Sequence, residues 1–162
     1  MEKKFIELVN AHKEIVEKIC HIYFYGNPYR DDYRQEILIR LWRAFPGFKG
    51  QSAFSTWMYR VALNASIDIL RKQCLYPKHI RLSEQDLSVP DKHIEGGSEN
   101  RDKLYSAIRR LSEAERAIIL LYLEEYEYKE IAGIAGISEN NVGVKINRIK
   151  NKLYTMLKDG KG

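Results

Sequence analysis

Trp57, Arg60, Asn64, Ile67 and Arg71 recur at intervals of three, four, three and four residues, with Tyr59 and Lys72 nearby. On a helix this spacing places them along one edge. An indole, guanidinium groups and an amide in a row can stack on an unpaired base, hold its edge and grip backbone phosphates. Ordinary packing of an aromatic and basic stripe is the competing explanation. Just before the stripe lies Phe48-Lys49-Gly50-Gln51-Ser52, a polar loop whose glycine lets nucleic acid approach the backbone closely.

A second pattern occupies Tyr128 to Ile149. Ile131, Ala132 and Ala135 are expected to face inward, Gly136 to supply a left-handed turn, and Ser138 to cap the next helix, whose core line is Val142, Ile146, Ile149 and Leu153. The small Ala132, the hinge Gly136 and the branched Val142 are what two helices meeting near a right angle require. The pattern predicts a helix-turn-helix. Counted at roughly 100° per residue, Asn140, Val144, Asn147 and Arg148 lie away from the core and are placed to touch base edges. Lys145, Lys150 and Lys152 fall on the flanks, where they can meet phosphates. Glu139, in the first turn, compensates the helix dipole. The alternative is an amphipathic helix whose basic side is merely hydrated.

A third set, Asp32, Gln35, Glu36, Arg40 and Arg43, lies on one short segment. Paired carboxylates suggest a metal or acid-base site, but no histidine accompanies them. A solvated face and a protein-docking face are the two readings that remain.

These sets need elements to hold them, and nearly every element outside one segment has a helical period. Phe5, Leu8, His12, Ile15, Ile19 and Ile22 alternate three and four apart, predicting one amphipathic helix with His12 as a satisfied core imidazole. Gly26-Asn27-Pro28 ends it. A second helix follows Asp31 and Asp32 and carries Ile37, Leu38, Leu41, Trp42 and Phe45, until Pro46-Gly47 stops it. Ser52 to about Gln73 makes a third, with Phe54, Met58, Val61, Ala65 and Ile69 on its core line. Later, Leu104, Ile108 and Leu111 mark one helix, and Ser112-x-x-Glu115 is a capping box opening another through Ile118, Ile119, Tyr122 and Leu123. No strand is expected. Residues 77–100 contain Pro77, Pro90 and Gly96-Gly97 without helical period and predict a linker. The fold expected is all-α: two small helical domains, 1–76 and 101–162, joined by a flexible tether.

Composition agrees. A hydrophobic share of 44% in 162 residues excludes disorder throughout. The net charge of +5 is uneven: 12 basic and 8 acidic groups in 1–76, 3 and 5 in 77–100, 12 and 9 in 101–162. Two basic blocks flank an acidic one, a division that fits a solvated surface as well as a polyanion partner. Cys20 and Cys74 form neither a disulfide framework nor a zinc site, and are expected to be buried thiols in a reducing compartment. The longest apolar run, Ala117 to Leu123, is too short to cross a bilayer, and Met1-Glu2-Lys3-Lys4-Phe5 lacks a signal peptide's apolar core. A cytoplasmic protein without membrane insertion is expected.

Together these residues resemble the extracytoplasmic-function (ECF) group of bacterial sigma factors, small two-domain initiation subunits of RNA polymerase. The resemblance covers the chain apart from the linker. It rests on Asp32-x-x-Gln35-Glu36 with Leu41-Trp42-Arg43, on Phe48-x-Gly50-x-Ser52-x-Phe54-x-Thr56-Trp57-Met58-Tyr59-Arg60-Val61-Ala62-x-Asn64, and on Tyr128-Lys129-Glu130-Ile131-Ala132 continuing into Gly136-Ile137-Ser138-Glu139-Asn140.

The resemblance implies roles. Asp32, Gln35, Glu36, Arg40 and Arg43 would dock on the clamp coiled coil of the polymerase largest subunit. Phe48 to Ser52, Trp57, Tyr59, Arg60, Asn64, Arg71 and Lys72 would melt and read the minus-ten element, capturing a base turned out of the duplex. Ser138, Asn140, Asn141, Val144, Lys145, Asn147, Arg148 and Lys152 would read the minus-thirty-five element as duplex, although Gly143 and Val144 stand where relatives often carry a basic or polar reader. The acidic linker would thread toward the polymerase active site and RNA exit path. An anti-sigma factor is a further expected partner. Such a protein needs no cofactor, metal or catalytic side chain, because stacking and strand contacts offset the few kcal/mol of unstacking a base. Two rivals are a stand-alone helix-turn-helix regulator, which would footprint a palindrome without polymerase, and a nuclease holding metal on Asp31, Asp32 and Glu36.

Overall fold

In the computed structural model, which describes residues 1–75 and 99–159, the chain divides into two compact units between Asp91 and Lys92. The first unit contains α1 (Glu2–Ala11), α2 (Lys13–Tyr23), α3 (Arg30–Ala44), a 3₁₀ turn (Phe45–Gly47) and α4 (Phe54–Leu75). The second contains α5 (Glu99–Ile108), α6 (Glu113–Leu123), α7 (Tyr128–Ala135) and α8 (Glu139–Asp159). No strand occurs among the described residues. Most of the expected linker, and its proposed threading, lies outside them, as does the side chain of Cys74. The last two residues assigned to the linker, Glu99 and Asn100, open α5 instead, where Lys103 pairs with Glu99 at 2.9 Å one turn on.

In the first unit α2, α3 and α4 pack pairwise on one another. Ile19, Ile22, Phe24, Ile37, Leu41, Met58, Tyr59 and Leu63 fill the space between them and are almost wholly buried. Each such side chain contributes about 1.5–3 kcal/mol by leaving water, so the apolar lines of three helices suffice to hold a small unit. The buried thiol of Cys20 belongs to this core, and desolvation pushes its pKa up to about 11. α1 is attached through Phe5, whose ring meets Trp42 and Phe45 at 5.1 and 5.2 Å.

The single N-terminal helix expected from the apolar stripe is two helices. His12 adopts φ −124° and ψ 26°, outside the helical region, and ends α1 while starting α2. Its Nδ1 is 2.9 Å from the Leu8 carbonyl, and its ring lies half-buried, 5.5 Å from Phe54. A break of one residue preserves the three-four alternation on both sides, so periodicity alone does not register it. α4 begins at Phe54 rather than Ser52, and Val61 on its expected core line is only half-buried.

In the second unit α8 packs on α5, α6 and α7. Val142, Ile146, Ile149 and Leu153 are buried, as the spacing requires. Ala135 is exposed rather than inward, because α7 ends there in the turn at Gly136. Ser112 caps α6 by accepting from the Glu115 N–H at 3.3 Å, while the Glu115 carboxylate turns to Lys152 on α8, 2.8 Å away.

Candidate nucleic-acid interface

Two surfaces carry the residues singled out by type and spacing. On the first unit, the 3₁₀ turn and α4 hold the loop 48–52 between them. Phe48 is not offered to solvent as the loop's tip: it is half-buried in an aromatic cluster, 5.2 Å from Trp57 and 5.5 Å from Phe54. Trp57 in turn meets Phe54 at 5.3 Å and Phe45 at 6.2 Å. These contacts anchor the loop's base and fix the indole, which stays partly accessible. Lys49, Gly50, Gln51 and Ser52 project beyond the cluster and are exposed. Gly50 has φ +71°, a left-handed conformation that L side chains resist, and no atom lies within 4 Å of where a Cβ would stand.

From Trp57 the edge of α4 runs through Arg60, Asn64, Arg71 and Lys72, all exposed, with Ile67 half-buried among them. The structure thus brings the loop and the stripe together on one unit. Tyr59 does not belong to that surface. It is 2% exposed and packed in the core, because it lies in line with buried Ala62, Leu63 and Ser66, three, four and seven residues on.

On α3, Asp32, Gln35 and Arg43 are exposed, whereas Glu36 and Arg40 are half-buried. Arg40 donates from Nε to Glu36 at 3.0 Å and from Nη1 to Asp68 of α4 at 2.9 Å. Burial works against its charge, but the hydrogen bonds to the two carboxylates outweigh it and raise the guanidinium pKa. Arg40 is therefore a tie between α3 and α4 as well as part of the polar face. Arg34 pairs with Asp31 and, at 2.8 Å, with Glu17. The three acids of the nuclease reading do not converge: Asp31 and Glu36 each answer an arginine, and no group of three or more His, Cys, Asp or Glu among the described residues is arranged to hold a metal.

The second unit presents α7, the turn and α8. Gly136 takes φ +72°, and the Ile137 N–H returns to the Ala132 carbonyl at 3.2 Å. Ser138 Oγ accepts from the Asn141 N–H at 3.2 Å, capping α8. Asn140, Asn141, Val144, Lys145, Asn147 and Arg148 are exposed along its outer side. The two later lysines face elsewhere. Lys152 is paired with Glu115, and Lys150 donates to the Tyr122 hydroxyl at 2.7 Å, its ammonium 4.4 Å from the ring centre. The Tyr122 hydrogen bond raises the Lys150 pKa. Both hold α8 to α6, and Lys152 keeps 54% of its side chain exposed beside its ion pair.

Two features have no counterpart in the sequence expectations. The Glu127 N–H donates to Glu130 Oε2 at 3.1 Å and so caps α7. The Tyr128 ring lies against Gly143, 3.5 Å from the position of an added Cβ. A glycine inside an otherwise regular helix costs about 1 kcal/mol, and at this separation the ring leaves ordinary room for a Cβ.

Comparison with known proteins agrees with this arrangement. The family model for sigma-70 region 2 matches residues 8–74, and that for sigma-70 region 4 matches residues 101–153. The chain is 28% identical over 170 residues to the ECF RNA polymerase sigma factor SigW of Bacillus subtilis, covering 96% of this chain and 89% of that one. It is 31% identical over 146 residues to the ECF RNA polymerase sigma-E factor of Escherichia coli, covering 78% and 75%. Among solved structures it is similar in fold to the sigma factor RpoE in complex with the anti-sigma factor NepR from Bartonella quintana, with TM-score 0.73, 19% identity and coverage of 97% and 96%. It is likewise similar to CnrH in complex with the cytosolic domain of CnrY, at TM-score 0.67 and 20% identity, covering 98% and 90%. Two regions in order, each on its own helical unit, and relatives aligned across both, place this chain in the ECF group of RNA polymerase sigma factors.

Proposed function

We infer that this sigma factor binds core RNA polymerase through α3, opens promoter DNA along the edge of α4, and grips upstream duplex with α8. The observation that carries the reading is the exposed line of Arg60, Asn64 and Arg71 beside the Gly50 loop, with Trp57 fixed at its head. A flat ring, cations and an amide along one edge suit a strand whose bases have left the stack. Trp57 would stack on the displaced base, Asn64 hold its edge, and Arg60, Arg71, Lys72 and Lys49 meet phosphates, with Gly50, Gln51 and Ser52 letting the strand approach the backbone. Phe48 acts beneath the surface by seating Trp57.

Asp32, Gln35, Glu36 and Arg43 form the polymerase-docking face, with Arg40 holding Glu36 in place. Asn140, Asn141, Asn147 and Arg148 meet base edges in the major groove, Ser138 shapes the helix start, and Lys145 meets phosphate. Melting requires no catalytic side chain, since binding to the opened strand offsets the unstacking. The protein works in the cytoplasm, where its polymerase and promoter are, and no helix among the described residues is long and apolar enough to cross a membrane. An anti-sigma protein is a third partner, as the anti-sigma factor NepR is for the similarly folded RpoE.

Run-off transcription with purified core polymerase on fragmented genomic DNA tests the reading and reveals the promoter. Trp57→Ala and Asn64→Ala are expected to impair open-complex formation while leaving polymerase pull-down intact. Equal loss of both would make the stripe structural, and failure of the wild-type chain to associate with core polymerase would end the reading altogether.

A further inference from the structure

We propose that Val144 reads the C5-methyl group of a thymine in the major groove and is a specificity-determining residue of the upstream promoter contact. The proposal rests on the reading of α8 as the duplex-gripping helix and concerns what its most prominent side chain recognises. Counted at roughly 100° per residue, Val144 stands about 190° from the mean direction of the buried Val142, Ile146, Ile149 and Leu153. It therefore crests the outer face, and it is 48% exposed. It is also the sixth residue of α8, within the first two turns, the part of a recognition helix that reaches base edges.

Nothing in the packing of the second unit calls for an apolar side chain there. Valine is also a weaker helix former than alanine or the long polar residues. Its neighbours one turn away on the same face, Asn140, Asn141, Asn147 and Arg148, are exposed and polar. Among the described residues the one exposed large apolar group nearby, the Tyr128 ring against Gly143, is too little for a protein-docking surface, and a phosphate offers valine nothing. The major groove offers one apolar feature, the thymine methyl, beside the acceptors and donors that asparagine and arginine recognise. Gly143 next to Val144 carries no side chain, and the Tyr128 ring lies against that glycine. Position 143 therefore does not screen Val144 from the groove floor.

The test uses the full chain assembled with bacterial core polymerase to select duplexes randomised across the upstream element. The selected duplex is then remade with uracil in place of each thymine in turn, which removes one methyl group and keeps every base-pairing hydrogen bond. One uracil position is expected to weaken wild-type binding roughly fourfold, the worth of about one buried methylene. Val144→Ala is expected to bind the thymine and uracil duplexes equally, while still discriminating at the neighbouring base pairs. Wild-type indifference to uracil at every position overturns the proposal, and so does full uracil sensitivity in Val144→Ala. If the assembled polymerase selects no upstream element, the reading of α8 itself falls and takes the proposal with it. That outcome is distinct, because the methyl contact alone can fail while selection succeeds.

Discussion

Tyr59 and Arg60 are adjacent in the chain and opposite in role. A helix turns roughly 100° per residue, which is enough to carry one side chain into the core and leave the next on the exposed edge. Tyr59→Ala removes a ring that is 2% exposed and is expected to lower stability by about 3–5 kcal/mol in urea melts. Its transcription defect should vanish once corrected for the folded fraction. Arg60→Ala should melt within about 1 kcal/mol of wild type, since exposed charges contribute little, yet lose open complexes in permanganate footprints. The exposed stripe was legible from its spacing, whereas Tyr59 was drawn into it by proximity along the chain; only its alignment with Ala62, Leu63 and Ser66 reveals the burial. Cys20 supplies a second test. Desolvation lifts its thiol from 9.0 to about 11, so the folded chain holds the proton more tightly than the unfolded one. The stability this contributes is whole below pH 9 and is lost as pH rises through about 11. In a Cys74→Ser background, iodoacetamide at pH 8 should react with native Cys20 at least about a hundredfold more slowly than after unfolding in urea, because the thiol is wholly buried as well as held protonated.

At the level of elements, the helix-turn-helix depends on two glycines whose replacements should have opposite effects. Gly136 sits at φ +72° with open space where a Cβ would go, so Gly136→Ala meets no clash and bears only the strain of the left-handed conformation, about 1 kcal/mol. Gly143 has ordinary helical backbone, and its added Cβ would meet Tyr128 at 3.5 Å, a normal van der Waals separation. Gly143→Ala should therefore gain much of the roughly 1 kcal/mol of helix propensity that glycine forgoes. Thermal melts of the full chain, followed at the transition of the second unit, should move down for the first and up for the second. Gly136, Ser138 and the α8 core line were all legible, because turn and cap chemistry is written in residue types. The ends that misled are those whose cause is tertiary or unusual. His12 breaks a helix without proline or glycine, and α7 starts on a glutamate whose N–H bonds to Glu130. Lys152 is legible as a flank lysine from its charge and spacing, whereas its partner Glu115 on α6 is not, because only packing brings those two helices together.

Over the whole molecule, the basic charge is split between two folded units, separated along the chain by an acidic segment. Each unit holds its own core and its own exposed set of basic and amide side chains. The chain links them so that engagement of one raises the effective concentration of the other at the same promoter. Substitutions confined to separate cores and separate surfaces add in free energy, to within a few tenths of a kcal/mol. Arg60→Ala on α4 and Arg148→Ala on α8 should therefore weaken promoter binding by the assembled polymerase by factors that multiply in the double variant, to within about twofold. The salt dependence should fall by about one unit of slope for Arg60→Ala, which leaves a phosphate without its arginine, and stay nearly unchanged for Arg148→Ala, whose proposed partner is a base edge. A slope that falls with Arg148→Ala would assign that arginine to a phosphate rather than a base. A double variant no weaker than Arg60→Ala alone would mean that the second unit never engages DNA once the first has been weakened, and the two heads would then act in sequence rather than side by side.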